Sequence, residues 1–312
     1  MTGEAEFGLI EQEGAETPGD EWEEVDVSDS EADRIARQRD REFSQFRERI
    51  TDADQFKVEA SVFDDATYGA LYKLVQDGYI DAFGGPISTG KEANVYTALG
   101  GPAAASILRA GAADDDPNVE ATEGDQPEVA VKLYRINASD FRDMREYLVG
   151  DPRFESIGGQ KKDVVLAWTR KEYANLERAR EAGVRVPAPI AVERNALVME
   201  YIGAEAGRAK RLGEVDVENP QTAYEVVREY VRRLYDAGLV HGDLSEYNMV
   251  IHEGELVVID LGQAVTVHHP NADEFLRRDC RNVANFFSRQ GLSVTGEDCY
   301  QFVTEESSPP GE

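Results

Sequence analysis

Three oxygen-bearing side chains follow one another closely in the C-terminal half of this 312-residue chain. Asp243 lies in the segment LVHGDLSEYN, Asn248 comes five residues after it, and Asp260 ends the apolar run LVVID. Carboxylate and amide oxygens are the ligands that Mg²⁺ prefers, and a carboxylate can also orient or deprotonate an attacking hydroxyl group. These residue types therefore indicate phosphoryl transfer, a reaction in which Mg²⁺ is held against phosphate oxygens.

The spacing of these residues narrows the chemistry further. It reproduces the phosphotransfer arrangement of protein kinases, in which an Asn follows the catalytic Asp by five residues and a metal-binding Asp lies on the next strand. Residues 239–265 are predicted to form a hairpin, with a turn at HEGE, that brings all three side chains to one end. In the alternative interpretation Asp243 and Asn248 only cap turns and Asp260 only ends a buried strand. The match of all three positions, followed by Leu-Gly, favours the catalytic interpretation.

A site of this kind also needs a lysine on a strand and a glutamate on a helix to grip the nucleotide phosphates. The segment EVAVKLYRI, residues 128–136, alternates as a strand does and contains Lys132. The segment TRKEYANLERAREAG, residues 169–183, has a helical stripe of apolar residues and offers Glu172. Because an unpaired buried charge is costly, Lys132 needs a partner or a ligand. The alternative role of Glu172 is a surface ion pair with a nearby arginine.

The segment GGPISTGKEANVY, residues 84–96, nearly matches the phosphate-binding P-loop signature. Its last position is Glu92, where that signature requires a Ser or Thr to hold Mg²⁺, and a strand-like sequence follows it in place of a helix. We therefore reject the P-loop and predict a lid over the nucleotide that joins two strands, or a helix to a strand. Ser88, Thr89 and Lys91, with backbone N–H groups, are its candidate hydrogen-bond donors to phosphate.

The chain is strongly acidic, because 33 Lys and Arg residues against 62 Asp and Glu residues give a net charge of −29. Concentrated salt would screen such self-repulsion, so we predict a halophilic protein, with an acidic protein that avoids nucleic acid as the alternative. Residues 1–33 hold no Lys or Arg and few large apolar residues, which predicts a disordered tail. Residues 100–128 are rich in Gly, Ala, Asp and Pro and are predicted to be a loop insertion that projects into solvent.

Two further features limit the class of protein. Cys280 and Cys299 do not make a disulfide framework. No signal sequence is found, and no apolar run approaches the roughly 18 residues of a membrane span, so we expect a soluble cytoplasmic protein.

Amphipathic helices are predicted over 221–238 and 272–291. The second helix carries four arginines, for which a solvated face and an RNA contact are the alternatives: Arg277, Arg278, Arg281 and Arg289.

Four segments together resemble the RIO family of atypical protein kinases, and specifically its type 1 branch: STGKEANVY, VAVKLYRI, HGDLSEYNMV and VVIDLGQAV. The resemblance covers residues 56–303, most of the chain predicted to fold. The segment MEYIG is similar to the interlobe hinge of the family. This similarity implies that Met199 is the gatekeeper residue and that backbone groups of Glu200 and Ile202 bind adenine. Residues 136–168 are similar to the type 1 flexible loop, which lies near the active site in that family.

The resemblance implies an α+β, two-lobed protein-kinase-like fold of the reduced RIO type. Such a fold has a small β-rich N-lobe and a mainly helical C-lobe, without the usual activation loop and peptide-docking subdomains. The implied organisation is an acidic, largely disordered tail (1–55), an N-lobe (56–198) with the insertion (100–128) and the flexible loop (136–165), a hinge (199–203), a C-lobe (204–303) and a disordered tail (304–312). The insertion departs from the family pattern, because it lengthens the turn before the lysine strand.

The resemblance also implies the ligands and the role of each site residue. ATP and Mg²⁺ are the implied ligands, with Mn²⁺ as an alternative because the same oxygen ligands suit both ions. Asp243 is then the catalytic carboxylate, with Asn248 and Asp260 as metal ligands. Lys132 holds phosphates and is oriented by Glu172. Asp260 is also a candidate phosphoacceptor, as the metal-binding Asp of the family can itself accept phosphate.

The implied function is that of an ATP-dependent RIO-type serine/threonine kinase or ATPase in late maturation of the small ribosomal subunit. The expected partners are ATP and the precursor small ribosomal subunit with its rRNA, and no membrane or DNA partner is expected. Two alternatives remain open. One is a small-molecule phosphotransferase, since antibiotic and choline kinases share the H-G-D loop. The other is a nucleotide-binding assembly scaffold in which turnover is incidental.

Overall fold

The computed structural model describes residues 63–115, 126–136, 141–148, 150–154, 157–158, 160–204 and 207–305. The acidic tail expected over 1–55 lies outside these residues. The helices are α1 (Asp65–Gln76), α2 (Pro102–Asp115), α3 (Phe141–Glu146), α4 (Lys161–Glu181), α5 (Pro220–Asp236), α6 (Ala272–Arg289) and α7 (Gly296–Glu305). The strands are β1 (Ile80–Thr89), β2 (Ala93–Gly100), β3 (Glu128–Tyr134), β4 (Pro189–Glu193), β5 (Ala196–Glu200), β6 (Gly203–Ala204), β7 (Gly207–Arg208), β8 (Lys210–Arg211), β9 (Leu239–Val240), β10 (Met249–His252), β11 (Glu255–Val258) and β12 (Val265–Thr266).

A five-stranded antiparallel sheet forms the N-terminal half of the fold, with strand order β1-β2-β3-β5-β4. Its middle strand, β3, is buried from Val129 to Tyr134, which explains why its sequence is almost continuously apolar. Lys132 is the charged exception. It lies opposite Val95 on β2 and opposite Leu197 on β5. The lysine is therefore fixed in the centre of the sheet.

The segment predicted to be a nucleotide lid joins two strands. β1 and β2 are antiparallel, Thr89 lies opposite Asn94 at their ends, and Gly90 N donates to Ala93 O at 3.0 Å. Upstream of β1, Asp65–Gln76 form helix α1. A P-loop would open into a helix at this point, so the order of elements expected from the sequence is confirmed.

The structure corrects the loop predicted over residues 100–128. Pro102–Asp115 form helix α2, and residues 116–125 lie outside the described part of the chain. Alanine is the strongest helix former and proline is favoured in the first turn, so PAAASILRAGAA is a helix-forming sequence. Its glycine and the acidic residues that follow it led to the prediction of a loop. Ala104 is fully buried, which shows that α2 packs on the fold. No described residue of α2 lines the cleft described below.

Helix α4 begins at Lys161 and not at the predicted residue 169. The additional turns contain Val164 and Trp168, which are buried and continue the apolar stripe. The flexible loop expected over 136–165 likewise contains helix α3 and a short 3₁₀ turn. The predicted start of the helix was placed after the flexible loop of the family. The apolar residues, however, already recur at helical spacing within the segment assigned to that loop.

Helices α5, α6 and α7 surround an apolar core in the C-terminal half of the fold. The helices predicted over 221–238 and 272–291 correspond to α5 and α6, with ends that agree to within two residues. Cys280 and Cys299 are both buried and free. Within the described ranges, no helix has both the length and the apolar character that crossing a membrane requires.

Candidate active site

Two antiparallel strand pairs bring the predicted catalytic residues together. β10 and β11 form the predicted hairpin, and β9 pairs with β12. The loop from β9 to β10 (residues 241–248) is called the HGD loop, and the loop from β11 to β12 (residues 259–264) is called the DLG loop. Ile259 N donates to Asn248 O at 3.0 Å, so the two loops are joined directly.

Asp243 and Asn248 lie beside each other in the HGD loop. Nδ2 of Asn248 donates to the backbone oxygen of Asp243 at 2.8 Å and to its carboxylate Oδ2 at 3.2 Å. Because the amide nitrogen is used in this way, the amide oxygen is the atom of Asn248 that can bind a metal ion. Asp243 is open to solvent on one side, but neighbouring groups remove part of the water around its carboxylate. This partial desolvation raises the pKa of Asp243 above its usual value, so its carboxylate is a stronger base than a fully solvated one.

His241 connects the HGD loop to the DLG loop. Its Nδ1 accepts a hydrogen bond from Asp243 N at 3.3 Å, which assigns the ring proton to Nε2. Nε2 then donates to Ile259 O at 3.2 Å. The sequence motif contains His241 without giving it a role, and these contacts show that it fixes the position of Asp243 relative to the DLG loop.

Lys132 lies between two carboxylates. Its Nζ is 2.7 Å from Glu172 Oε1 and 2.9 Å from Asp260 Oδ1. Burial alone lowers the pKa of Lys132, but the charges of Asp260 and Glu172 outweigh burial and hold that pKa well above its usual value. The charge of Lys132 is in turn the main cause of the lowered pKa of Asp260. At neutral pH Lys132 is therefore a fixed positive charge and Asp260 a fixed negative charge.

Tyr134 is a second partner of Glu172 that sequence reasoning missed. Its hydroxyl group donates to Oε2 of Glu172. Lys132 and Tyr134 are two residues apart on β3, so their side chains leave the same face of the strand, and this spacing is the signal that was present in the sequence. Glu172 is only 1% exposed, so the alternative role of this residue as a surface ion-pair partner is wrong.

A cleft of about 560 Å³ contains most of the predicted site residues, a volume typical of small-molecule sites. The residues that line it are Ser88, Thr89, Lys91, Lys132, Glu172, Met199, Glu200, Ile202, Asn248 and Asp260. The other lining residues include apolar ones, among them Val95, Ala130, Val250 and Ile259, and charged ones, among them Arg208 and Arg211. Asp243 is exposed in the HGD loop and is joined to the cleft through Asn248.

Backbone contacts and an ion pair hold the predicted hinge. Glu200 N donates to Ala188 O at 2.8 Å, and the carboxylate of Glu200 pairs with Arg185 at 2.5 Å. Ile202 O accepts a hydrogen bond from Ala209 N at 3.0 Å. The side chain of Glu200 therefore stabilises the hinge itself.

Helix α6 anchors the HGD loop. Asp279 accepts hydrogen bonds from Gly242 N at 2.8 Å and from Leu244 N at 2.9 Å. Asn282 Nδ2 donates to Leu244 O at 3.0 Å. Burial raises the pKa of Asp279 to about 6. Sequence reasoning missed Asp279, although a carboxylate on the buried stripe of an amphipathic helix seldom occurs without a partner.

The basic run on α6 makes contacts within the chain. Arg278 donates to Gly242 O. Two other arginines of the run form ion pairs, Arg277 with Asp273 at 3.0 Å and Arg289 with Glu246 at 2.6 Å. Of the two interpretations of this run, these contacts favour a solvated, internally paired face over an RNA contact.

The oxygen donors in the cleft fit Mg²⁺ that is bound together with phosphate. Within the described ranges, no group of three or more His, Cys, Asp or Glu side chains forms a metal cluster. Mg²⁺ does not need such a cluster, because it is usually bound through one or two carboxylates, substrate phosphates and water. Asn248 and Asp260 offer one amide oxygen and one carboxylate, which matches that mode of binding.

Comparison with known proteins assigns the chain to a family. The family model described as RIO domain matches residues 118–299. The chain is 67% identical over 307 residues to the RIO-type serine/threonine-protein kinase Rio1 of Haloferax volcanii, and the match covers 98% of each chain. It is 32% identical to the protein of the same name from Methanocaldococcus jannaschii, over 82% of this chain and 80% of that protein. It is 35% identical to human serine/threonine-protein kinase RIO1, over 91% of this chain and 47% of the human protein.

Solved kinase structures are similar in fold. The Rio2 kinase from Chaetomium thermophilum, in a complex described as ADP/Mg²⁺-phosphoaspartate, matches with a TM-score of 0.54 at 21% sequence identity. This match covers 78% of our chain and 68% of the Rio2 chain. The predicted α+β, two-lobed kinase-like fold is thus confirmed. Fold, family model and relatives agree, and the chain belongs to the RIO family of serine/threonine protein kinases, in its Rio1 branch.

Proposed function

We propose that this RIO1-type kinase transfers the γ-phosphoryl group of ATP in a Mg²⁺-dependent reaction at the cleft. The observation that carries the proposal is the position of Lys132, whose Nζ contacts both Glu172 and Asp260. A lysine held by a helix glutamate, beside a metal-binding aspartate, is the arrangement that grips nucleotide phosphates in kinases. Mn²⁺ is the alternative ion, because the same oxygen ligands suit both.

Asn248 and Asp260 hold the metal ion in this proposal. The carboxylate of Asp260 is 53% exposed and lines the cleft, and Lys132 keeps it ionised. The amide nitrogen of Asn248 is engaged by Asp243, which directs its oxygen to the metal ion. Mg²⁺ bound here neutralises the charge that develops on the phosphate oxygens.

Asp243 is the proposed catalytic carboxylate. It is exposed, so a hydroxyl group of a protein or of a smaller acceptor can reach it. His241 and Asn248 fix its orientation through the hydrogen bonds described above. Its raised pKa favours acceptance of the proton that the attacking hydroxyl group releases.

The lid and the hinge are the proposed nucleotide contacts. Ser88, Thr89 and Lys91 line the cleft at the turn between β1 and β2, where they can donate hydrogen bonds to phosphate oxygens. On the hinge, Met199 is the gatekeeper. The backbone O of Glu200 and the backbone N–H of Ile202, which the hinge contacts described above do not use, bind the adenine ring.

Asp260 is also the proposed phosphoacceptor of an ATPase cycle. The phosphoaspartate of the Rio2 complex belongs to the Chaetomium protein and supports this step by analogy. Attack by an Asp260 oxygen forms a bond to the γ-phosphorus while the bond from that phosphorus to the bridging oxygen breaks, and ADP leaves with this oxygen. Water then hydrolyses the acyl phosphate to aspartate and inorganic phosphate.

The proposed cellular role is late maturation of the small ribosomal subunit, with the precursor subunit and its rRNA as partners in the cytoplasm. The resemblance to type 1 RIO kinases supports this role. Neither a membrane nor DNA is a proposed partner. The small-molecule phosphotransferase and the assembly scaffold are the alternatives.

ATP turnover measured in high salt with Mg²⁺, alone, with small ribosomal subunits or with small alcohols, separates these functions. Turnover that rises with subunits supports the proposed ATPase switch. Phosphate transfer to a small alcohol at rates far above ATP hydrolysis favours the phosphotransferase. An Asp243→Ala variant that lacks turnover yet preserves subunit binding and cell growth favours the scaffold.

A further inference from the structure

The DLG loop contains a residue in an uncommon backbone conformation. Asp260 has φ 64° and ψ 67°, in the left-handed region that residues other than glycine seldom adopt. Such a conformation persists only where the surrounding structure determines it. The groups that hold the DLG loop therefore also determine where the carboxylate of Asp260 lies.

Two side chains of α4 hold the DLG loop by its carbonyl groups. Lys171 Nζ donates to Gly262 O at 2.9 Å. Asn175 Nδ2 donates to Leu261 O at 3.2 Å and to Ala264 O at 3.0 Å. Both side chains are fully buried. Helix α4 thus supports Asp260 from the backbone, in addition to supplying Glu172 to Lys132.

The segment over residues 150–154 orients Asn175. Arg153 Nη2 donates to Asn175 Oδ1 at 3.1 Å, which leaves Nδ2 of the amide to face the DLG loop. Arg153 is in turn held by Asp151, whose carboxylate accepts hydrogen bonds from Nε at 2.9 Å and from Nη2 at 2.6 Å. A continuous set of contacts therefore runs from Asp151 to the DLG loop.

Burial of the Lys171 ammonium group is costly for stability. Within the described ranges it makes no ion pair, and its ammonium group lies 4.8 Å from the centre of the Trp168 ring. Burial lowers the pKa of Lys171 to about 7, which reflects the cost of keeping a charge there. A costly buried charge that is aimed at the backbone of a metal-binding loop is more readily explained by function than by packing.

We propose that Lys171 and Arg153 are positioning residues for Asp260. The packing of residues 150–154 against α4 then sets the affinity of the site for Mg²⁺. This inference rests on the proposed function, because the Mg²⁺ site is itself part of that proposal. Loss of either side chain loosens the DLG loop without removing a metal ligand. The expected consequence is weaker Mg²⁺ binding with the chemical step retained.

The test compares Lys171→Met and Arg153→Leu with two control variants at exposed positions, Lys162→Met on α4 and Arg145→Leu on α3. The Mg²⁺ concentration for half-maximal ATP turnover is expected to rise by about tenfold in the first two variants, as with other residues that orient metal ligands. The turnover rate at saturating Mg²⁺ is expected to stay within about threefold of wild type. Both controls are expected to behave like wild type.

Tryptophan fluorescence gives a readout that does not depend on turnover. A Cβ at Gly262 would lie 3.0 Å from Trp168 Nε1, so this indole senses the DLG loop. Trp22→Phe removes the second tryptophan of the chain. Titration of that protein with Mg²⁺ in the presence of ADP is expected to change the Trp168 emission, with a midpoint about tenfold higher when Lys171→Met or Arg153→Leu is added.

Three outcomes separate this inference from the proposed function. A wild-type Mg²⁺ midpoint in both variants, or a loss of turnover rate with no change in midpoint, overturns the positioning role. If Lys171→Met fails to fold, the Mg²⁺ midpoint of Arg153→Leu decides the test, because the side chain of Arg153 is 33% exposed and so is not part of the buried core. If the wild-type protein neither turns over ATP nor changes its Trp168 emission with Mg²⁺ and ADP, the proposed function fails and this inference fails with it.

Discussion

The carboxylate of Asp279 accepts a 2.8 Å hydrogen bond from Gly242 N, one residue before the proposed catalytic Asp243. A helix of the C-terminal half thus fixes the loop that carries the reaction. Gly242 has a φ of 79°, and a Cβ at this position would lie 3.0 Å from Gln263 O in the DLG loop. Glycine permits both the left-handed conformation and the close approach of the two loops.

The buried carboxylate of Asp279 predicts a pH dependence of stability. Its pKa is raised from 3.8 to about 6, so between these values the folded state binds more protons through this group than the unfolded state does. Stability therefore decreases as pH rises through this window. Relative to an Asp279→Asn variant, the wild-type free energy of unfolding is expected to fall by about 2 kcal/mol between about pH 4 and about pH 6. Urea unfolding at constant high salt measures this difference.

Glu274→Gln is the matched control, because Glu274 lies on the same helix and is exposed. The difference in free energy of unfolding between Glu274→Gln and the wild-type protein is expected to change little over the same pH range. A difference between wild type and Asp279→Asn that does not depend on pH would show that the carboxylate is not desolvated as described.

The ion pair between Lys132 and Glu172 predicts unequal effects of single and double substitution. Lys132→Met leaves Glu172 buried without its cation, a change that typically costs about 3–5 kcal/mol. Adding Glu172→Gln removes the uncompensated charge, so the double variant is expected to be more stable than the single one. ATP turnover is expected to be lost in both, because the phosphate grip is absent. Thermal and urea unfolding, beside the exposed Lys162→Met control, measure the effect.

Equal destabilisation by the single and the double substitution would contradict this ion-pair account. A Lys132→Met variant that retains wild-type turnover would in addition remove Lys132 from the proposed phosphate contacts.

The net charge of −29 predicts that the folded state is stabilised by salt. The Debye length falls from about 10 Å at 0.1 M to about 3 Å at 1 M, which screens the repulsion between acidic groups. The midpoint of thermal unfolding is therefore expected to rise steadily as KCl is increased through this range. Sucrose at matched osmolality controls for solvent exclusion, and maximal stability near zero salt would contradict a halophilic protein.

The site residues that the sequence predicted share a property: their roles depend on local spacing. Asp243 and Asn248 are five residues apart in one loop, and Asp260 lies two residues after the second strand of the hairpin. The spacing of the motif therefore determines how the three residues are arranged. Lys132 and Glu172 each stand in a recognisable strand or helix context. Their contacts across the fold then follow from the family arrangement.

The residues that the sequence did not predict act over long separations. Asp279 bonds to a residue 37 positions away and Lys171 to one 91 positions away, and spacing along one sequence does not show which loop a helix meets. A signal was nevertheless present, since Trp168, Lys171 and Asn175 recur at helical spacing on one buried stripe. Polar residues on such a stripe require partners. Helix α2 was missed for another reason, because its composition is shared by loops and by alanine-rich helices.

Phosphoryl transfer at this cleft is tested by initial rates of ATP turnover for the wild-type protein, Asp243→Asn and Asp260→Asn at saturating Mg²⁺ in high salt. Asparagine is chosen because it tolerates the left-handed conformation of Asp260. Both variants are expected to keep the wild-type circular dichroism spectrum and to lose at least about 100-fold in turnover. Turnover by folded Asp260→Asn at the wild-type rate would contradict the assignment of the reaction to Lys132, Glu172 and Asp260.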